Sequence, residues 1–354
     1  MLARRTFLGA AIGAAGLPLE AGAQQQPAII DGLGEMRIEY NLALVDEIRA
    51  SGLRCCVVTL GNPAVHGPEA WDDARREYEA YEAHIRNNPQ RLSRVTNSSH
   101  IAQAVERGTI GLVYYLQNAS PIQDNLDKLK TLHNWGVRII QLTYNSRNLL
   151  GDGCLERTNA GLSRFGLEVV ARMNELGLIV DVSHSGEATT LDAIRFSKKP
   201  VLINHAGSKA VFDHPRNKTD AVLELLAEHG GVIGIFQINP YVGPKERNTL
   251  DDYLRHIDQA VKVAGIDHVG IGSDREYKTI PDTPEEKQRL IDELSRLRPV
   301  TAATFRWPFF ISELNHPRRM ETIARGLERR GYKAADVEKI MGGNLHRLFK
   351  EVLG

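Results

Sequence analysis

The chain has 354 residues, of which 42% are hydrophobic and 25% charged, as is typical of a soluble globular protein. Lysine and arginine together number 44, and so do aspartate and glutamate, so the formal net charge is zero. This balance argues against nucleic acid or an anionic membrane surface as the partner, because both favour proteins with a surplus of basic residues.

The first 23 residues predict an export signal. Arg4 and Arg5 precede a short Gly/Ala-rich apolar run that ends in Ala-Gly-Ala at 21–23, a pattern typical of signal-peptide cleavage. Because the paired arginines resemble a twin-arginine signal, we predict cleavage after Ala23 and a bacterial periplasmic protein. The run is too short to hold the mature protein in a bilayer. The alternative to an export signal is that these residues form a buried N-terminal helix.

Eight short apolar runs, separated by amphipathic segments, follow from residue 28 onwards. They are nearly continuous in Val, Ile and Leu rather than alternating, which is typical of strands buried on both faces of a parallel sheet. The predicted strands span 28–33, 55–61, 108–117, 137–145, 178–184, 200–207, 231–239 and 268–274.

The segments between these strands have helical spacing. In 162–176 the apolar residues fall on one face, Ser163 can cap the start and Gly177 can end the helix, and 249–264 shows a similar pattern. Strands alternating with helices predict one (β/α)8 TIM-type barrel domain over 24–354. The alternative is an open doubly wound sheet, although no G-x-G-x-x-G follows the first strand.

The part beyond the eighth strand, 277–354, predicts a C-terminal helical extension. It contains the aromatic stretch "RWPFF" at 306–310. These aromatic residues are expected either to cover the barrel mouth, to form a subunit contact, or to pack beneath the extension.

The three cysteines are Cys55, Cys56 and Cys154. Neighbouring side chains on a strand point to opposite faces, so Cys55 and Cys56 are not expected to pair with each other. Cys154 could reach one of them in an oxidising periplasm. We expect all three cysteines to serve as small, buried, apolar residues. Whether any of them forms a disulfide stays open.

Polar residues follow the predicted strands where their C-terminal ends meet. In (β/α)8 barrels the catalytic groups collect at this end. Imidazole and carboxylate groups suit Zn²⁺ and similar ions, so His184, His205 and Asp274 predict a metal site. A capping or packing role is the alternative for an isolated histidine. The candidate residues at these positions are Glu35, Gln117, Tyr144, His184, His205 and Asp274.

Longer stretches of the chain resemble a known family. "GLSRFGLEVVARMNELGLIVDVSHSGEAT", "KPVLINHAGSKAVFDHPRNKTD", "IDHVGIGSD" and "GYKAADVEKIMGGNLHRLF" resemble the membrane dipeptidase (renal dipeptidase) family of zinc peptidases. The resemblance covers about 28 to 352. It implies a (β/α)8 barrel with two zinc ions and a bridging carboxylate, in which a metal-activated water attacks the amide of a dipeptide.

The resemblance also implies roles for particular residues. His184 and His205 would bind one zinc, and Asp274 would handle the proton. Arg216, in "DHPRN", would hold the substrate carboxylate, because a guanidinium offers it two parallel donors. We expect Asn217 and Gln117 to bind substrate beside it. The resemblance further suggests a homodimer.

Four positions depart from the family's pattern. In "DGLGE", Leu33 stands where the family has a histidine ligand and Glu35 where it has an aspartate. Gln117 replaces the bridging glutamate, and Tyr144 replaces a site histidine. Two divalent ions need several anions nearby, so a two-metal site is not expected.

We therefore predict one divalent metal, zinc, held by His184, His205 and Asp274. Glu35 is a further ligand if its longer side chain reaches the ion. The expected function is a periplasmic dipeptidase-like hydrolase of a small amide that bears a carboxylate, with Tyr144 donating to the oxyanion. One alternative is a metal-free lyase or isomerase working through Tyr144, Glu35 and Asp274. The other is a non-catalytic binding or accessory homologue.

Overall fold

The computed structural model describes residues 28–295 and 305–354. The predicted signal peptide over 1–23 lies outside these ranges. Within them, no helix combines the length and the apolar character that crossing a bilayer requires.

Eight parallel strands form the barrel, and each pairs with the next in chain order. Between the last and the first strand, Gly32 N donates to Ile271 O over 2.8 Å. The predicted (β/α)8 barrel is therefore confirmed. The strands are β1 (Ile29–Asp31), β2 (Leu53–Thr59), β3 (Ile110–Leu116), β4 (Val137–Gln141), β5 (Ile179–Asp181), β6 (Leu202–Ala206), β7 (Val232–Ile235) and β8 (Val269–Ile271).

Three further short strands lie beside the barrel. Leu92–Arg94 pairs with β3. Gly34–Glu35 pairs in parallel with Arg275–Glu276 just beyond β1 and β8. This pair continues the contact between the first and last strands towards the site.

The described helices surround the barrel and form the extension. They span Leu42–Ala50, Pro68–Asn87, Ser98–Arg107, Asp127–Trp135, Arg164–Leu176, Glu187–Phe196, Asp220–Glu228, Asn239–Val242, Leu250–Ala264, Pro284–Ser295, Arg319–Arg329, Ala334–Glu338 and Asn344–Leu353. Single helical turns occur at Ser120–Ile122, Ile266–His268 and Ser312–Leu314, and a π-turn at Lys339–Gly343. The predicted caps are confirmed: Ser163 accepts from Gly166 N, and Gly177 ends the helix in the left-handed conformation.

The barrel interior and the surrounding shell have separate apolar clusters. The last helix contributes Leu345, Leu348 and Phe349 to the interior cluster. Asn344 donates to Ile266 O and Val269 O at the start of β8. The last helix therefore closes the N-terminal end of the barrel and leaves the opposite end for the site.

Several strands end earlier than the apolar runs predict. β1 ends at Asp31, whose Oδ1 accepts from Leu33 N, and β5 ends at Asp181, whose Oδ1 accepts from Ser183 N. A carboxylate that accepts from the backbone two residues on turns the chain out of the strand. The polar residues predicted at strand ends therefore lie mostly in the turns that follow.

The extension has a small apolar cluster of its own, which we call the extension cluster: Ile280, Leu290, Ile291, Phe305 and Phe310, with Leu294, Trp307 and Phe309 partly buried against it. The aromatic stretch at 306–310 belongs to it. No disulfide joins the three cysteines in the described part of the chain, where Cys55 and Cys56 are buried and Cys154 is half-buried.

Arg319 links the extension to the first strand. Its side chain is 1% exposed, donates to Glu276 O and Arg275 O over 2.8 Å each, and lies 3.6 Å from Asp31 Oδ2. Its guanidinium also stacks on the ring of Tyr277 at 3.7 Å. A fully buried cation and anion depend on each other, because neither has water to replace its partner.

We expect Arg319→Met to lower the free energy of unfolding by about 3–5 kcal/mol, because it leaves the Asp31 carboxylate buried beside no cation. Urea unfolding measures this change. The neighbouring Arg318→Met is the control, since the exposed pair of Arg318 with Glu321 contributes at most about 1 kcal/mol. Equal losses in the two variants would contradict the prediction.

Candidate active site

A cavity of about 160 Å³ lies at the C-terminal end of the barrel. This volume is below the ~300–1,000 Å³ of pockets for drug-sized ligands, so the cavity suits a small molecule. Six of the eight predicted site residues line it: Glu35, Gln117, Tyr144, His184, Arg216 and Asp274. The other lining residues are Arg37, Asn145, Ile238, Tyr241, Arg275, Glu276, Ile280, Leu290, Leu294 and Phe309.

His205 lies beneath the cavity and is positioned by Asp181. Asp181 Oδ1 accepts from Asn204 N over 2.8 Å and from Ser183 Oγ over 2.6 Å. Ser183 Oγ in turn accepts from His205 N over 3.0 Å. The buried carboxylate that ends β5 therefore fixes the backbone from which the imidazole of His205 projects.

The structure brings the two predicted imidazoles into direct contact. His184 Nε2 and His205 Nε2 are 2.9 Å apart, and Gln117 Nε2 is 3.2 Å from His205 Nε2. His184 Nδ1 lies 2.8 Å from Asn145 Oδ1, and Tyr144 stacks on the His184 ring at 4.2 Å. A contact of 2.9 Å between two ring nitrogens is a hydrogen bond, so one of them carries a proton.

His205 is a neutral imidazole in this environment. Burial lowers its pKa well below the ordinary value, and the cations of Arg216 and Lys218 lower it further. Its Nδ1 is buried and has no hydrogen-bond partner among the described residues. The contact with His184 is therefore the main polar interaction of this side chain.

The upper barrel interior holds Leu33, Tyr115 and Gln141 together with the carboxyl group of Asp181. Tyr115 OH donates to Asp181 Oδ2 over 2.5 Å and lies 2.9 Å from Gln141 Oε1. Gln141 Nε2 donates to the backbone oxygen of Gln117 over 2.5 Å. Leu33 and Gln117 thus occupy the positions for which the resemblance implies a histidine ligand and the bridging glutamate.

Asp274 follows β8 in a strained backbone conformation, with φ of 53°. Its N–H donates to Leu33 O over 2.7 Å, and its side chain lines the cavity. Burial raises the pKa of its carboxyl to about 7; nearby Arg216 opposes this shift and Glu35 adds to it. Asp274 can therefore take up or release a proton near neutral pH.

Arg216 is held rigidly at the edge of the cavity. Its Nη1 donates to Ser183 O over 2.6 Å, its Nη2 donates to His205 O over 3.1 Å, and the group stacks over Phe236 at 5.6 Å. These bonds use two of the five N–H donors of a guanidinium. The remaining donors can serve a ligand carboxylate.

Asn217 lies outside this cavity, and its predicted contact with substrate is not made there. Its Nδ2 donates to Phe212 O over 2.8 Å and to Tyr241 O over 3.0 Å. It lines a neighbouring cavity that also contains Cys154 and Lys218. The Asn217 amide therefore holds the loop that carries Arg216 and does not line the active-site cavity.

Glu35 faces the cavity but pairs with arginine. Its Oε2 lies 3.3 Å from Arg37 Nη2, and Arg37 is also 3.8 Å from Glu276. The predicted approach of Glu35 to the imidazoles is not seen, because the short strand pair holds its backbone beside Arg275–Glu276.

The one-metal site of His184, His205, Asp274 and Glu35 stays a prediction. Within 28–295 and 305–354, no group of three or more His, Cys, Asp or Glu side chains could hold a metal ion. His184 and His205 offer two imidazole nitrogens, but Leu33 and the neutral amide of Gln117 offer no ligand for a second ion and no bridging carboxylate. The residues present do not fit the zinc site that the resemblance implies.

Some site residues were not foreseen. Asn145, which contacts His184, follows Tyr144 directly in the chain and could have been found from that position. Arg37 and Arg275 carry no pattern that separates them from surface arginines. The apolar side of the cavity comes from the extension, and only the fold places it there.

Comparisons with known proteins show the family of this chain. The family model for membrane dipeptidase, peptidase family M19, matches residues 49–306. The chain belongs to the membrane dipeptidase family. Among solved structures, an amidohydrolase from Pseudomonas aeruginosa is 30% identical with a TM-score of 0.82, covering 93% of this chain and 97% of that one.

Curated relatives match over a shorter region. The dipeptidase verJ of Clonostachys rogersoniana is 34% identical over 192 residues, which cover 54% of this chain and 49% of that protein. An uncharacterized dipeptidase of Schizosaccharomyces pombe is 34% identical over 191 residues, which cover 52% and 45%. The chain thus spans about half the length of the curated relatives it matches.

We expect the purified protein to hold well below one zinc per chain, and Gln117→Glu to gain zinc affinity. The substitution is nearly isosteric and places a carboxylate at the imidazole pair, which completes three donors. Elemental analysis and the shift of Tm on adding Zn²⁺ measure this, with Gln123→Glu on the loop after β3 as the control. Stoichiometric zinc in the wild-type protein would overturn this expectation.

The raised pKa of Asp274 predicts a pH-dependent stability effect. Between about pH 4 and 7 the folded state keeps this proton while the unfolded chain has lost it, so Asp274 makes the fold less stable as pH rises. Asp274→Asn removes this loss. We expect the variant to gain roughly 4 kcal/mol over wild type on going from pH 4 to pH 8, measured by urea unfolding. A difference that does not change with pH would refute this assignment.

Proposed function

We propose that this chain is a periplasmic dipeptidase-like hydrolase that cleaves a small amide bearing a carboxylate, and that its own side chains carry the proton transfers. One observation carries the proposal: Asp274, with its pKa of about 7, faces the same small cavity as Arg216 and Tyr144. Family membership supports hydrolysis as the reaction class.

Substrate binding is assigned to the charged groups of the cavity. Arg216 pairs with the carboxylate, because its position is fixed by two backbone carbonyls and it keeps unused donors. Glu35 offers a carboxylate for an amino group of the same molecule. A zwitterion the size of a dipeptide meets both partners in about 160 Å³.

Asp274 accepts a proton from a water molecule as the water oxygen attacks the amide carbonyl carbon. The phenol of Tyr144 donates a hydrogen bond to the developing oxyanion. Asp274 then returns the proton to the leaving nitrogen, the C–N bond breaks, and an acid and an amine are formed. All of these steps use water and the side chains of Asp274 and Tyr144.

A second candidate function is a binding protein without turnover. The substitutions at the site favour this candidate. Leu33 stands in place of a histidine ligand and Gln117 in place of the bridging glutamate, and the family's zinc chemistry depends on both. The two candidates share the cavity and differ only in whether the bound amide is cleaved.

Amine release from a panel of dipeptides, with EDTA present, tests the hydrolase. We expect turnover that survives the chelator and falls at least about 100-fold in Asp274→Asn, the usual size of a lost acid–base group. The exposed Asp213→Asn is the control. Absence of turnover together with ligand-induced stabilisation would favour the binding protein, and loss of activity in EDTA would contradict the metal-free mechanism.

Export by the twin-arginine pathway remains part of the proposal, supported by Arg4, Arg5 and the Ala-Gly-Ala at 21–23. We expect the mature protein in the periplasmic fraction to begin at Gln24, which N-terminal sequencing determines. Arg4→Lys with Arg5→Lys should leave the full-length chain in the cytoplasm. Export of that variant at the wild-type rate would argue against this pathway.

A homodimer is likewise proposed, and light scattering of the purified protein measures its oligomeric state.

A further inference from the structure

One side of the cavity is apolar and is built mainly by the extension. Ile280, Leu290, Leu294 and Phe309 line it, and Ile238 from the loop after β7 joins them. We call these five residues the apolar wall. The charged groups that line the same cavity come from the barrel turns and from Arg275–Glu276. The cavity therefore has one apolar and one charged side.

The apolar wall is fixed by hydrogen bonds to the barrel and within the extension. Asn315 accepts from Ile280 N over 3.0 Å and donates to Ile280 O over 2.8 Å. Phe309 O accepts from Arg275 Nη1 over 3.2 Å, and the Phe309 ring stacks on Phe305 at 5.7 Å. A preformed apolar surface binds without first ordering its own side chains.

We propose that this wall is a subsite for a branched or aromatic side chain, so that the preferred substrate contains an apolar amino-acid unit of the leucine or phenylalanine class. The inference rests on the proposed function, since it concerns the substrate of the same site. The terminal charges of the substrate face Arg216 and Glu35, while the side chain of the apolar unit contacts Leu290 and Phe309.

The size of the expected preference follows from burial. Burying a leucine-sized side chain favours binding by at least tenfold over glycine, which has no side chain to bury. The small cavity limits the substrate to one such group. The wall carries no charged side chain, so an aspartate or lysine side chain placed against it would lose water without gaining a partner.

The test uses free amino acids as probes, because they carry the same charges and have no amide to cleave. Leucine, phenylalanine, glycine and aspartate are titrated into the full protein and followed by NMR chemical shifts. We expect leucine and phenylalanine to bind at least tenfold more tightly than glycine, and aspartate no more tightly than glycine.

Two variants of one helix separate the wall from general damage to the extension cluster. Leu290 and Ile291 are both buried in that cluster, but only Leu290 lines the cavity. Leu290→Ala should reduce the ratio of leucine to glycine affinity at least threefold, and Ile291→Ala should leave it unchanged. Equal affinity for leucine and glycine in wild type, or equal effects of the two variants, would overturn the subsite.

These outcomes are independent of turnover. A leucine preference in a protein that cleaves no dipeptide would keep the subsite and reject the hydrolase. Turnover of dipeptides without any preference for apolar residues would keep the hydrolase and reject the subsite.

Discussion

Two buried carboxylates determine where the functional groups of this barrel lie. Asp181 binds the backbone of the neighbouring strand and thereby orients His205. Asp31 accepts from Ser273 N over 2.8 Å and from Tyr277 OH over 2.7 Å, which holds the turn that carries Asp274. In each case a side chain at the end of one strand fixes backbone elsewhere in the barrel: β6 for Asp181, and the turn after β8 for Asp31. The site is rigid because these bonds are shielded from water.

Two substitutions change the chemistry of the site. Leu33 stands where the family has a histidine ligand, and Gln117 replaces the bridging glutamate. Beside Gln117, the Nε2 atoms of His184 and His205 lie 2.9 Å apart. Burial raises the pKa of Asp274 to about 7, although nearby Arg216 opposes this shift. A carboxyl group in this setting can exchange a proton near neutral pH.

The sequence predicted the barrel well because apolar runs buried on both faces have few other solutions. It also predicted which residues meet at the site, since six of the eight named residues line one cavity. It did not show that the Asn217 amide bonds to Phe212 O and Tyr241 O, because the direction of one amide depends on packing. Of the apolar wall the sequence indicated only the aromatic stretch at 306–310, for which covering the barrel mouth was one of three alternatives; Phe309 of that stretch lines the cavity. The other wall residues come together only in the folded chain.

The separation of the extension cluster from the two barrel clusters has an evolutionary consequence. Its buried members are not shared with the clusters on which the barrel depends. Substitutions at positions such as Leu290 can therefore alter ligand choice while the strands and their turns keep their arrangement. Relatives with the same scaffold would be expected to diverge first in this segment, so that selectivity drifts more quickly than architecture.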